Sequence, residues 1–431
     1  MERNLLVCTG MLMMIIFTVT GIAGAAGQEL DLEASVNLAL ENNRDVKVAE
    51  KDYAAADWRL RELKADKLPV VNLKHTDTRV KPNPSEALYQ YLKYDPPETN
   101  YYNNQLTVSV PLYTGGQLEG LIKQADINRK VADLNLKKVK QQVKLEATVA
   151  YFNLLQANSL AKLNEETVNR LTNHLKNARG RFTTGVATKN DVLRSEVELA
   201  NAKENLIKAQ NDSDLAQANF NNIMGRPLTT AIAVKADLSY QKYDGSLAEC
   251  TKRALQSRVE VLLAEQNCEN AKSQVAIAKS GHFPTVSFVG TFDQNEDVFP
   301  GADNSNWSLS LICSWNFYDS GRTKFRINQA TTLQDKAGEL SLKAKETICL
   351  EVRQAYLSMQ EADKRIHTGE LALNLANDNF RLTQGRYNSG TGINLDVIDS
   401  QLALVQTKTR YINSLYDYNV SLARLQKACG D

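Results

Sequence analysis

Beyond its first residues, the chain has no apolar run near the ~18–20 residues that a membrane-spanning helix requires. If it crosses a bilayer it must do so with strands, because only helices and closed sheets satisfy the backbone in lipid. Proline is scarce and unevenly placed. None of the nine prolines lies between Pro111 and Pro227, and none follows Pro300. A proline inside a helix costs ~3 kcal/mol, so two very long tracts are free to be helical. Excess charge is missing too: 51 Lys and Arg face 50 Asp and Glu. That balance argues against a nucleic-acid binder. Aromatic residues are too few for one large packed core, and Ala, Leu, Lys, Gln, Asn and Glu fill the long stretches, as in extended helical assemblies.

Enzyme signatures are absent as well. There is no Walker loop, no GxSxG and no HExxH. The four histidines, His75, His174, His282 and His367, are far apart, so no metal or other cofactor is expected. No CxxC occurs among the six cysteines. Cys8 falls in a leader, which leaves Cys250, Cys268, Cys313, Cys349 and Cys429, an odd and scattered set read as incidental in an oxidising compartment. Cys250 and Cys268 are read as sharing one helix, where their spacing would be ~27 Å, too far for a disulfide.

What is present begins with an export signal. Arg3 supplies a positive start, residues 5–19 are mostly apolar, and Ala23-Gly24-Ala25 offers small residues for cleavage. Downstream, apolar residues recur at helical steps, as in Ile127, Val131 and Leu134, and in Val168, Leu171, Leu175, Ala178 and Phe182. A helix from about Gln117 to Arg179 would be ~95 Å long and needs a partner of equal length. A break over residues 180–190 supplies the reversal, and a second tract runs to about Ile223. Four short segments alternate instead, with Leu106, Val108 and Val110 on one face of one, and Trp307, Leu309, Leu311, Cys313, Trp315 and Phe317 on one face of another.

The two halves match. Residues 110–117 align with 315–322 at an offset of 205, which also pairs Glu146 with Glu351, Tyr151 with Tyr356, Gly185 with Gly390, and Asp191-Val192 with Asp396-Val397. Upstream the offset is 215, pairing Leu32 with Leu247 and Pro69 with Pro284. The first unit therefore holds ten extra residues, within a Pro-, Tyr- and Asn-rich stretch over 81–104 that reads as an extracellular loop. The divisions that follow are an export signal over 1–25, a first repeat over 26–223, a connector over 224–246 and a second repeat over 247–431. Strand pairs fall at about 69–113 and 284–317, and hairpin tips near 185 and 390. The fold class is mainly α with a small β part, built from duplicated strand–strand–long helical hairpin units. Four strands cannot close a membrane barrel, since single-chain barrels start at about eight, so several chains must share one.

Arg181-Phe182-x-x-Gly185 leading to Asp191-Val192, and Arg386-Tyr387-x-x-Gly390-Thr391 leading to Asp396-Val397-Ile398-Asp399, resemble the TolC family of outer-membrane efflux proteins. The resemblance covers nearly the whole mature chain. It implies a homotrimer whose strands form a twelve-stranded barrel in outer-membrane lipid and whose helices form a tunnel through the periplasm. It also implies passive conduction from an inner-membrane pump of RND or ABC type and a periplasmic adaptor (membrane fusion) protein, in tripartite efflux or type I secretion. Arg181, Gly185, Asp191, Arg386 and Gly390 are then the tip residues that meet the adaptor. Asp396 and Asp399, three apart on one helix face, are the pore constriction, stacking acidic rings in a trimer. A plainer reading stays open for Asp396 and Asp191: an acid in the first turn of a helix is favoured by the dipole. It serves Asp399 less well, whose counterpart is Arg194. Some relatives carry Arg where this chain has Gly392. The rival to a duct is a periplasmic structural or adaptor protein built on helical hairpins. The cargo is not legible.

Overall fold

The computed structural model describes residues 29–81, 91, 97–234, 238–297 and 304–430. The expected export signal and much of the expected 81–104 loop lie outside these residues. The first repeat runs β1 (Glu29–Leu30), α1 (Leu32–Asn42), α2 (Arg44–Ala65), β2 (Val70–Val80), β3 (Thr99–Tyr113), α3 (Gln117–Thr183) and α4 (Lys189–Ile223). A short strand β4 (Ala233–Val234) follows. The second repeat runs α5 (Leu247–Ser257), α6 (Val259–Lys279), β5 (Thr285–Glu296), β6 (Ser305–Ser314), α7 (Arg322–Asn388) and α8 (Asn394–Cys429). The two offsets read in the sequence map α1 onto α5 and α3 onto α7 residue for residue.

α3 and α7 are each 67 residues, ~100 Å of continuous helix. Each starts after a glycine in the left-handed region, Gly116 at φ 87° and Gly321 at φ 84°. That conformation costs glycine nothing and turns the chain sharply out of the sheet. The expected partner of equal length is not one helix: the return helices α4 and α8, of 35 and 36 residues, pack antiparallel along part of each long helix, and α2 and α6 pack along the rest.

The helix expected before each strand pair is in fact two. Asn43 and Arg258, at matching positions, take extended backbone with ψ of 136° and 130°. Asn43 caps α2 by accepting from the Asp45 N–H and ties the break to α4 by donating to the Ile223 carbonyl. Arg258 is buried and pairs with Glu260 at 2.9 Å and Glu351 at 2.7 Å. Cys250 and Cys268 consequently sit on different helices, α5 and α6, so the single-helix argument for their separation does not apply.

β2, β3, β5 and β6 form one antiparallel sheet in that order. Two expected boundaries shift. β3 begins at Thr99, so residues 99–104 belong to the strand rather than the loop, and β6 ends at Ser314, which leaves Trp315 and Phe317 beyond it. Register places Leu73, Leu106, Phe292 and Trp307 in one row across the sheet, and Val71, Val108, Gly290 and Leu309 in the next. The row of Val110, Phe288 and Leu311 follows. Side chains alternate faces along a strand, so these rows share one face, and Asn72, Thr107, Thr291 and Ser308 share the other. The apolar face is open: Leu73, Trp307, Leu309 and Leu311 are all more than 60% exposed. Among the described residues the outer edges of β2 and β6 have no partner strand.

Burial concentrates part-way along the long helices, where the return helices end and α1 and α5 pack on them. One core gathers Tyr151, Leu154, Phe220 and Met224 in the first repeat, and a matching one gathers Val352, Met359, Tyr418 and Leu425 in the second. The connector straps them together. β4 pairs in parallel with β1. Tyr240 donates to the Asp363 carboxylate at 2.6 Å, and Tyr418 donates to the Gln241 carbonyl at 2.7 Å.

Candidate functional site

Both long helices end in the same turn. Gly185 and Gly390 are left-handed, at φ 74° and 81°. Their N–H groups donate to Phe182 and Tyr387, and the next residues, Val186 and Thr391, donate back to the carbonyls of Arg181 and Arg386 at 2.9 Å. This pair of bonds is the Schellman stop, which needs a residue free to adopt positive φ. Asp191 then closes a capping box at the start of α4: its carboxylate accepts from the Thr188 N–H and hydroxyl, while the Thr188 hydroxyl accepts from the Asp191 N–H.

The second tip departs from the first at this point. The residue matching Thr188 is Ile393, which cannot cap, so α8 starts without a side-chain cap. Asp396 is therefore not drawn into a cap as Asp191 is. Among the described residues, neither Asp396 nor Asp399 has a hydrogen bond or ion pair; Asp396 is half-buried and Asp399 exposed.

The tips are joined by residues that differ between the repeats. Asn394 is buried at the start of α8, and its amide donates to the Asp191 carbonyl at 3.1 Å and the Ser195 hydroxyl at 3.4 Å. Its oxygen is thereby the acceptor for His174 Nε2 at 2.6 Å, which fixes the proton on that ring nitrogen. The His174 ring lies 5.3 Å from that of Tyr387. Arg181 places its guanidinium 4.4 Å above the Tyr387 ring and donates to the Asn388 carbonyl at 2.8 Å. Burial pushes the His174 pKa below its ordinary value; the Asn394 bond opposes this and the Arg181 charge adds to it. The Tyr387 hydroxyl is buried with no partner among the described residues, and burial raises its pKa.

Of the residues singled out in the sequence, the structure thus brings Arg181 and Asp191 into one inter-hairpin contact. Arg386, Gly185 and Gly390 lie exposed at the turns, and Asp396 and Asp399 follow on α8. His174, Tyr387 and Asn394 were missed. For Tyr387 and Asn394 a signal was available, because Phe182 and Lys189 occupy the matching positions. Gly392 is also constrained: a Cβ there would lie 2.9 Å from the Tyr387 nitrogen and 3.1 Å from the Arg386 carbonyl carbon. An arginine at this position would require this turn to shift.

The family model described as outer membrane efflux protein matches residues 35–226 and 251–431. Among curated relatives, the chain is 23% identical over 318 residues to the outer membrane protein TolC of Escherichia coli (strain K12), covering 70% of this chain. That match spans 64% of the relative, just under two-thirds of its length. It is 21% identical over 400 residues to the solvent efflux pump outer membrane protein SrpC of Pseudomonas putida, covering 92% of this chain and 84% of that one. Among solved structures, CusC superposes with a TM-score of 0.79 at 18% identity, covering 96% of each chain. The Campylobacter jejuni CmeC outer membrane channel gives 0.81 at 16% identity, covering 93% of this chain and 85% of that one. These structures share the fold.

Proposed function

The chain belongs to the outer membrane efflux protein family, and from that premise we propose that it is the outer-membrane exit duct of a tripartite efflux or type I secretion system. The observation that carries the reading is the four-stranded sheet with one exposed apolar face and, among the described residues, two unpaired edges, continuous with single helices ~100 Å long. An open edge is not tolerated in lipid. Edge β2 of one copy and edge β6 of the next can pair, and three copies supply the twelve strands of a closed barrel. The apolar rows from Trp307 to Cys313 span ~20 Å along the strand, close to the ~25 Å apolar band of membrane barrels.

In this reading the polar face, with Asn72, Thr107, Thr291 and Ser308, lines water, and the hairpins continue the lumen through the periplasm. The exposed tips around Gly185, Arg386 and Gly390 meet a periplasmic adaptor, and an inner-membrane pump of RND or ABC type supplies the energy. Asp396 and Asp399 of three copies narrow the lumen as two acidic rings, which favour cations. Their freedom from caps and ion pairs supports that role. SrpC is named for solvent efflux; this chain's cargo is a property of its pump.

Fractionation followed by cross-linking tests the proposal. The native protein should sediment with outer membranes and cross-link as a trimer in mild detergent. Recovery as a stable monomer in the soluble periplasm would overturn it.

A further inference from the structure

The second repeat holds a side-chain cluster that the duct does not use. Cys250 lies in α5 and Cys429 is the last residue of α8, and these two helices pack directly on each other. Both thiols are buried, at 2% and 0% exposure, in the same core as Tyr418 and Leu425. Cys429 neighbours Cys250 in that core, and the Cys250 sulfur lies 3.1 Å from the Tyr243 hydroxyl. Among the described residues the other cysteines have no such neighbour: Cys268 donates to the Ala337 carbonyl at 3.3 Å, Cys313 lies on the exposed sheet and Cys349 is half-buried on α7. The last turn of α8 is held in place independently, with the Ser257 hydroxyl donating to the Cys429 carbonyl at 3.4 Å. Its position beside α5 therefore does not depend on the sulfur contact.

We propose that Cys250 and Cys429 are a modification site, oxidised to an intramolecular disulfide that closes the second repeat into a covalent loop. The two thiols give up two protons and two electrons as the S–S bond forms. An external disulfide of the exchange-catalyst or glutathione class accepts them and leaves as two thiols. The oxidant's availability in the cell rests on the export reading above; the juxtaposition of the sulfurs does not. Burial pushes the Cys429 thiol up to about 12. The attacking thiolate is then scarce once the core has closed, so exchange belongs to folding, before α8 docks on α5. The bond links residues on either side of β5, β6 and α7, and so restricts the unfolded chain over most of the repeat.

Peptide mapping of the full chain decides the matter. Protein extracted from membranes is denatured, alkylated with N-ethylmaleimide without reductant and digested. A parallel sample is refolded into detergent micelles in a glutathione redox buffer before alkylation. The expected result in both is one linked species joining the Cys250 and Cys429 peptides, lost on reduction, with Cys268, Cys313 and Cys349 alkylated. A linked species after refolding but free thiols in extracted protein would leave the pairing standing and count against export. Alkylation of both cysteines in the refolded sample, or linkage of either to a different cysteine, would overturn the pairing. The C250A/C429A double variant should lose the linked species and show a thermal midpoint that no longer responds to reductant.

Discussion

His174 and Asn394 tie two hairpins together through one short hydrogen bond, and the residues around it set its pH response. Neutral His174 is favoured in the fold because burial lowers its pKa, so the unfolded chain binds the proton more readily. The stability it contributes is complete above the unfolded value of about 6.5 and is lost as pH falls through the lower folded value. The thermal midpoint should therefore drop as pH falls below about 6.5, and H174Q should flatten that part of the profile. Asn394→Ala removes three bonds between hairpins and leaves the His174 ring and the Ser195 hydroxyl short of a partner. It should cost about 1–3 kcal/mol in denaturant melts and raise single-channel conductance in planar bilayers. Tyr387→Phe is the contrasting case. The hydroxyl has no partner among the described residues, while the ring under Arg181 remains, so stability should hold or rise slightly. If Asp396 and Asp399 form the proposed acidic rings, the D396N/D399N double variant should bring the cation-to-anion permeability ratio towards one, read from reversal potentials in a salt gradient.

At the scale of elements, turn chemistry and register do the specifying. Gly390→Ala forces a Cβ into the left-handed region, at roughly 1–2 kcal/mol, although open space surrounds the position. The sheet offers a sharper contrast. Leu309 and Ser308 are neighbours on β6 but face opposite sides. Leu309→Lys puts a charge on the apolar face and should lower trimer yield in outer membranes, at about 2–4 kcal/mol near the bilayer centre. Ser308→Lys, on the polar face, should assemble normally. The alternation behind this contrast was legible in the sequence because strand periodicity is local. The split of each leading helix was not. It depends on Asn43 reaching the Ile223 carbonyl and on Arg258 reaching Glu351, contacts between residues far apart in the chain.

For the whole molecule, matched lengths matter more than any one contact. Removing seven residues from each of α3 and α4 would shorten the first hairpin by ~10 Å and draw Arg181 away from Tyr387. In the proposed assembly, trimers should still form through the sheet, but pump-dependent export should fail. The same cuts in α7 and α8 as well should restore the tip contact. The duplication, the two long hairpins, the glycine turns and the two-faced strands were fixed by the sequence alone, since each follows from periodicity, breaker residues or a constant offset. Tertiary structure alone decided which residues of one hairpin hold the other, and that Cys250 shares a buried core with Cys429. Those outcomes depend on which helix faces pack together. The packing joins residues separated by some two hundred positions, a relation that neither local propensity nor repeat spacing encodes.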